Sequence, residues 1–150
     1  MKKFEFTLEK MLAYKEQLLE KEKNTLMQLR TEQRRITDSI QRLELQFSEI
    51  NRELQEITRQ AVDAEKIKGH RFQLDNTRHQ LRQLRIELQQ AEVAVQRQVG
   101  VVLAITQEVE GMEKLREKQW EEYNHAQAKN EELTIAELVN TQRALRQIAL

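Results

Sequence analysis

Ile36-Thr37-Asp38-Ser39-Ile40-Gln41-Arg42-Leu43-Glu44-Leu45-Gln46-Phe47-Ser48-Glu49-Ile50-Asn51-Arg52-Glu53-Leu54-Gln55-Glu56-Ile57 decides the fold class. Its apolar side chains stand at Ile36, Ile40, Leu43, Phe47, Ile50, Leu54 and Ile57, in steps that alternate four and three. A mean spacing of 3.5 residues holds one narrow apolar stripe toward a partner helix, the signature of a coiled coil. A helix on the surface of a globule carries a wider stripe with a 3.6-residue period. The same series extends back through Gln33, Leu29, Leu26, Glu22, Leu19, Lys15 and Leu12 to Leu8, and forward to Ala61 and Ala64. Fourteen of these seventeen positions are apolar, so the stripe runs without a slip.

A second seam follows: Leu74, Thr77, Leu81, Leu84, Leu88, Ala91, Val95, Gln98, Val102, Ile105, Val109 and Met112. It weakens through Arg116, Gln119, Tyr123, Ala126, Asn130 and Leu133. Gly100 and Gly111 lie inside it, each costing about 1 kcal/mol relative to Ala in a helix interior, which predicts local softness without a break. Between the seams stands Lys66-Ile67-Lys68-Gly69-His70-Arg71. Gly69 is placed to end a helix in the left-handed conformation, with Lys66 and Lys68 suiting the negative end of the helix dipole. The sequence therefore predicts an all-α protein, a long antiparallel two-helix coiled-coil hairpin forming a single domain over residues 1–150. Its first helix covers about 4–68, its bend lies near Gly69, and its second helix covers about 72–132. Alternatively, Gly69 sits within one continuous helix.

The polar defects of the seams favour the hairpin over a parallel dimer. In a parallel dimer Lys15 would face Lys15 and Glu22 would face Glu22, with nothing to relieve the like charges. A fold at Gly69 pairs residues whose numbers sum to about 140, as two antiparallel helices require. Lys15 then lies near Tyr123, and Glu22 near Arg116 and Gln119. Toward the C-terminus, Thr134 with Glu137 matches a capping box, and Leu133 with Leu138 the accompanying hydrophobic staple. These residues open a short terminal helix at about 135–148, or else belong to a helix that simply continues.

Composition agrees with long helices. There is no Pro, there are three Gly, and a third of the residues are charged. Asp and Ser, which compete with helical backbone bonds, are scarce beside Glu, Gln, Leu and Arg. The regular apolar repeat argues against the disorder that so polar a chain would otherwise suggest. Twenty-five basic and 25 acidic residues cancel, which gives no sign of general polyanion binding. Zero Cys excludes disulfides and thiol chemistry and suits a reducing compartment. Acidic residues beside Phe4 and Phe6 break any signal-peptide core, and the longest nearly apolar run, Val99 to Ile105, is far short of the ~20 residues that span a bilayer. The expected location is cytoplasmic.

Raw material for chemistry is missing. His70, His79 and His125 form no metal-ligand spacing, and no glycine-rich phosphate loop is present. Two isolated Ser and no Cys leave no nucleophile–base pair. Acidic pairs such as Glu121-Glu122 and Glu131-Glu132 read as solvated helix faces. We expect no enzyme activity, no catalytic, cofactor-binding or metal-binding residues, and no small-molecule substrate. Two charge features remain. Lys66 to Arg85 holds six basic residues against Asp75 alone, and Glu108 to Glu137 holds nine Glu against four basic residues. Such polarity suits different partners at the two ends, or is ordinary surface charge. Phe72 is the lone aromatic beside the basic stretch, too little for a nucleic-acid platform. Phe4, Phe6, Met11 and Tyr14 form an apolar surplus near the N-terminus, with Leu115 and Trp120 at about the opposing level. They mark a binding surface, or pack against Leu138, Val139, Leu145 and Ile148 folded back as a third helix.

The opening Phe4-Glu5-Phe6-Thr7-Leu8-Glu9-Lys10-Met11-Leu12-Ala13-Tyr14-Lys15-Glu16 resembles the start of the flagellar export protein FliJ family. The stretch Glu113-Lys114-Leu115-Arg116-Glu117-Lys118-Gln119-Trp120-Glu121-Glu122-Tyr123 is similar to that family's second half. The resemblance implies a non-enzymatic stalk and chaperone component of flagellar type III export, needed for flagellum biogenesis and motility. It implies a cytoplasmic protein held peripherally at the membrane through the export apparatus. Its implied partners are the export ATPase hexamer, the cytoplasmic domain of the export-gate membrane protein, and other export chaperones. The ATPase ring would meet Phe4, Phe6, Leu8, Met11, Leu12, Leu115, Trp120 and Tyr123. The gate would meet Leu81, Leu84 and Leu88. Thr77 and Gln80 stand where the family carries an aromatic before that leucine run, which moves the contact toward Phe72. The equivalent stalk of a virulence-type secretion system and a self-associating structural scaffold are the other readings of the same pattern.

Overall fold

A computed structural model of the chain describes residues 2–60 and 63–149. Two helices account for nearly all of them: α1, Glu9–Arg59, and α2, Ala64–Ile148. Among the described residues there is no strand. The predicted all-α class and the antiparallel pairing of two long helices are both observed. Glu9 in the first turn of α1 and Arg59 in its last suit the helix dipole. Threonines inside the helices turn their hydroxyls onto the carbonyl four residues back, as Thr31 does to Met27 at 2.9 Å and Thr58 to Leu54 at 2.7 Å. A residue type that competes with helical backbone is thereby accommodated in it.

The chain divides into two compact units, Glu20–Leu103 and the pair Met1–Leu19 with Ala104–Leu150. In the first of these, Ile36, Ile40 and Leu81 are buried together, with Leu43, Leu84, Leu88 and Ala91 packed around them. The register is marked by polar pairs across the seam. The Gln98 side-chain amide donates to the Glu22 carboxylate at 2.5 Å and to the Glu22 carbonyl at 3.0 Å. Arg85 meets Glu44 at 3.4 Å, His70 meets Glu53 at 3.3 Å, and the Arg78 guanidinium stands 5.5 Å from the Phe47 ring. On the surface of α1, the Arg35 guanidinium bonded to Glu32 holds that carboxyl below its ordinary pKa. In the other unit, Lys15 meets Glu108 at 2.6 Å and Arg116 meets Glu9 at 3.5 Å.

These partners correct the expected register. Their residue numbers sum to about 125, from Glu22 with Gln98 to Glu44 with Arg85, instead of about 140. Lys15 faces Glu108, not Tyr123, and Glu22 faces Gln98, not Arg116 or Gln119. The cause is the position of the reversal, which falls between Arg59 and Ala64; Gly69 lies in the interior of α2. Asp63 starts α2 early. Its side chain accepts from the Glu65 amide at 3.3 Å, and its carbonyl accepts from Lys66 at 3.2 Å, the bonding of a helix N-cap. Of the expected first seam, Ala61 lies outside the described residues and Ala64 belongs to α2.

The helix ends differ too. Residues 2–6 are not helical, and α1 starts at Glu9 after a turn in which the Glu9 amide donates to the Phe6 carbonyl at 3.1 Å. No separate helix begins at 135: α2 runs on to Ile148, and the Thr134 hydroxyl bonds Asn130 four residues back instead of capping. A helix unbroken through Thr134 leaves its end no means to fold back, so Leu138, Val139, Leu145 and Ile148 form no third helix.

A Cβ added at Gly69 would meet open space, and the residue is exposed. Gly69→Ala should therefore stabilise the protein by about 0.5–1 kcal/mol, through the lower entropy of the unfolded chain. A urea midpoint shifted upward is the expected measurement. A left-handed glycine at a bend would give a loss instead.

Candidate interaction surfaces

Within the unit formed by residues 1–19 and 104–150, the N-terminal segment lies against α2. Phe6 (6 % exposed), Leu12 (2 %), Ile105 and Val109 make one buried cluster, with Phe4, Leu8, Leu18, Leu19 and Met112 around it. Outside that cluster three rings touch. The Phe4 ring meets Trp120 edge-on at 5.0 Å between centroids, and Trp120 stacks on Tyr123 at 5.8 Å. Tyr123 fastens the segment further by donating its hydroxyl to the Lys2 carbonyl. Aromatic side chains in a non-helical lead thus replace the helical turns expected there, because rings bury more area per residue than a frayed helix end.

The eight residues named for the ATPase contact are therefore gathered in one unit, in three conditions. Phe6 and Leu12 are interior; Phe4, Leu8 and Tyr123 are half-buried; Met11, Leu115 and Trp120 are exposed. The first two have packing roles, and their side chains offer no surface. Past Gln127 every described residue of α2 is exposed, since no part of α1 stands opposite. Leu133, Ile135, Leu138, Val139, Leu145 and Ile148 lie bare on this length of helix. Ile135, Leu138, Val139 and Leu145 share one face by their spacing of three, four, seven and ten residues.

In the unit Glu20–Leu103, the residues named for the gate contact separate. Leu81, Leu84 and Leu88 face α1 in the buried seam, whereas Phe72 is exposed. Ile86 and Val93 are also exposed, and they follow Phe72 at multiples of seven residues, hence on the same face of α2. The heptad count that assigned the seam contains this outer stripe as its complement, since positions seven residues apart keep the same face whatever the pairing register.

Among the described residues no three His, Asp or Glu side chains converge as a metal site, and no helix is long and apolar enough to cross a membrane. The model of the family described as flagellar FliJ protein matches residues 4–148. The chain belongs to the FliJ family. No curated protein and no solved structure matches it. Family membership makes this a protein of the flagellar export system, and within this chain the opening and closing stretches meet in the contact of Phe4 with Trp120 and Tyr123.

Proposed function

We propose that the chain is a non-enzymatic stalk of the flagellar type III export apparatus, coupling the export ATPase ring to the export gate. The observation that carries this is the unpaired end of α2, a lone helix with Ile135, Leu138, Val139 and Leu145 on one exposed face. A helix of that kind is stabilised by a partner that covers its apolar stripe, and a ring with a central opening supplies walls on every side. Trp120, Met11 and Leu115 extend the same contact toward the aromatic cluster. Coupling then follows from differential affinity, because a stalk that contacts one ring conformation better than another shifts the ring toward it. The gate contact falls on the outer stripe of Phe72, Ile86 and Val93, since the neighbouring leucines are engaged with α1. Other export chaperones, like the gate, would meet surfaces outside the ring. No cofactor, nucleic acid or small-molecule substrate enters this scheme, and the protein works in the cytoplasm at the membrane face.

The test is the ATP hydrolysis rate of the flagellar export ATPase with the wild-type chain and with Leu138→Glu plus Leu145→Glu. Both leucines are exposed, so circular dichroism should be unchanged. Burial of each is worth roughly 1.5–3 kcal/mol, so binding should weaken by about 100-fold or more and stimulation should vanish. A wild-type chain that neither binds nor stimulates the ATPase overturns the proposal. Activity restored on a virulence-type ATPase would favour the related stalk, and self-association alone would favour the scaffold.

A further inference from the structure

A groove of about 510 Å³ opens between the N-terminal residues and α2, lined by Phe4, Glu16, Glu113, Arg116, Glu117 and Trp120. All six belong to the unit made of residues 1–19 and 104–150. Glu113, Arg116, Glu117 and Trp120 fall at i, i+3, i+4 and i+7 of α2, which puts them on one helix face. Glu16 joins them from α1.

The lining has an aromatic part and an unbalanced charge. Phe4 and Tyr123 hold the Trp120 indole in position and still leave it 46 % exposed. Three carboxylates stand beside one guanidinium, and that guanidinium is turned to Glu9 at 3.5 Å. Among the described residues, Glu16, Glu113 and Glu117 form no ion pair. No cation lies over the indole among them either; the one such contact is Arg78 on Phe47. An exposed indole attracts a cation to its face, and carboxylates at the rim accept from it. A guanidinium suits both at once, being planar for stacking and forked for carboxylates, whereas an ammonium is a compact and strongly hydrated point charge.

We infer that this groove receives an arginine side chain presented by a partner protein. Which protein presents it rests on the ring contact proposed above; the chemistry of the groove does not. The partner's guanidinium lies against Trp120 and pairs with Glu113 and Glu117, with Glu16 closing the opposite wall. This contact complements the apolar end of α2: the bare helix supplies affinity, and the groove supplies orientation and partner choice.

Trp120 is the only tryptophan, so its fluorescence reports this groove alone. The full chain is titrated with the blocked tripeptides acetyl-Ala-Arg-Ala-amide, its Lys analogue and its Glu analogue. The expected result is a saturable change with Arg in the millimolar range, a weaker one with Lys, and none with Glu. Higher salt should weaken the Arg signal, because exposed charges are screened. Glu113→Gln plus Glu117→Gln should weaken Arg binding roughly threefold to tenfold. An equal response to all three peptides, or no saturable response, overturns the inference; so does unchanged Arg binding in the variant. The same variant is then measured against the export ATPase. Weaker ATPase binding places the arginine on the ring, and unchanged binding removes the ring as its source. If the ATPase binds neither form, the stalk proposal fails while the peptide result stands.

Discussion

Leu12→Ala should destabilise the protein by about 2–5 kcal/mol, a large fraction of the stability of any domain. Leu12 is 2 % exposed and lies with Phe6, Ile105 and Val109 in the cluster that joins the N-terminal lead to α2. A seam between two helices has few side chains in each layer. When one is cut back to a methyl, neither helix can move inward without disturbing the layers above and below, so the cavity persists and its cost adds to the lost burial. Phe6 would lose a neighbour, and the loosened lead would release Phe4 from Trp120. The effect should therefore appear twice in urea unfolding, as an earlier midpoint by circular dichroism and as a changed native Trp120 emission. Met11→Ala is the control. Met11 adjoins Leu12 in sequence but is 50 % exposed, and its loss should cost within about 0.5 kcal/mol. Equal midpoints for the two variants would mean that the Leu12 layer does not hold this end together.

Proline substitution at two nearby positions should give opposite outcomes. Gly69→Pro should cost about 3 kcal/mol or more, whereas Ala64→Pro should be nearly neutral. Ala64 is the first residue of α2, where the amide has no helical acceptor and the fixed backbone angle of proline matches the helix. Gly69 is five residues further on, where proline removes a helical hydrogen bond and collides with the preceding turn. A bend at Gly69 reverses the expectation, since Ala64 would then lie inside the first helix. Thermal unfolding of the two variants beside the wild type decides between them, with Ala64→Pro expected near the wild-type midpoint and Gly69→Pro well below it.

The reason for that contrast is also the reason why one part of the fold escaped the sequence. A heptad repeat matches itself after any slip of seven residues, so the two seams satisfy several registers almost equally well. The expected and observed pairings differ by about two such slips. What selects among them is polar and local: the Asp63 cap, the Lys15–Glu108 pair and the Gln98–Glu22 bonds. Asp63 was visible, as one of three aspartates in the chain and a residue that favours caps. Gly69 was the stronger signal in isolation, and an exposed glycine in a helix interior leaves no mark in the sequence that tells it from a C-cap.

The surfaces divide along the same line. The apolar excess of Phe4, Phe6, Met11 and Tyr14 opposite Leu115 and Trp120 was legible in the sequence. Of that set Phe4 and Trp120 are in ring contact, while Met11, Tyr14 and Leu115 stay exposed; the part of Tyr123 in the cluster was not read from that excess. Which of these rings is interior was not legible, because burial of Phe6 depends on a non-helical lead that no periodicity describes. The groove walled by Glu16, Glu113 and Glu117 required the register first, because it sets an α1 carboxylate beside two of α2. The exposed stripe of Phe72, Ile86 and Val93 follows from heptad position and was passed over for the leucines of the seam.

The amino-acid sequence by itself determined the all-helical class, the two seams and the antiparallel sense, because a sustained 3.5-residue spacing and the like charges that a parallel pairing would oppose are local or pairwise properties. Only the tertiary structure decided where the chain turns, which layer meets which, and which apolar side chains stay bare. Those depend on aligning two repeats that are each nearly self-similar, and a small number of polar contacts breaks the tie.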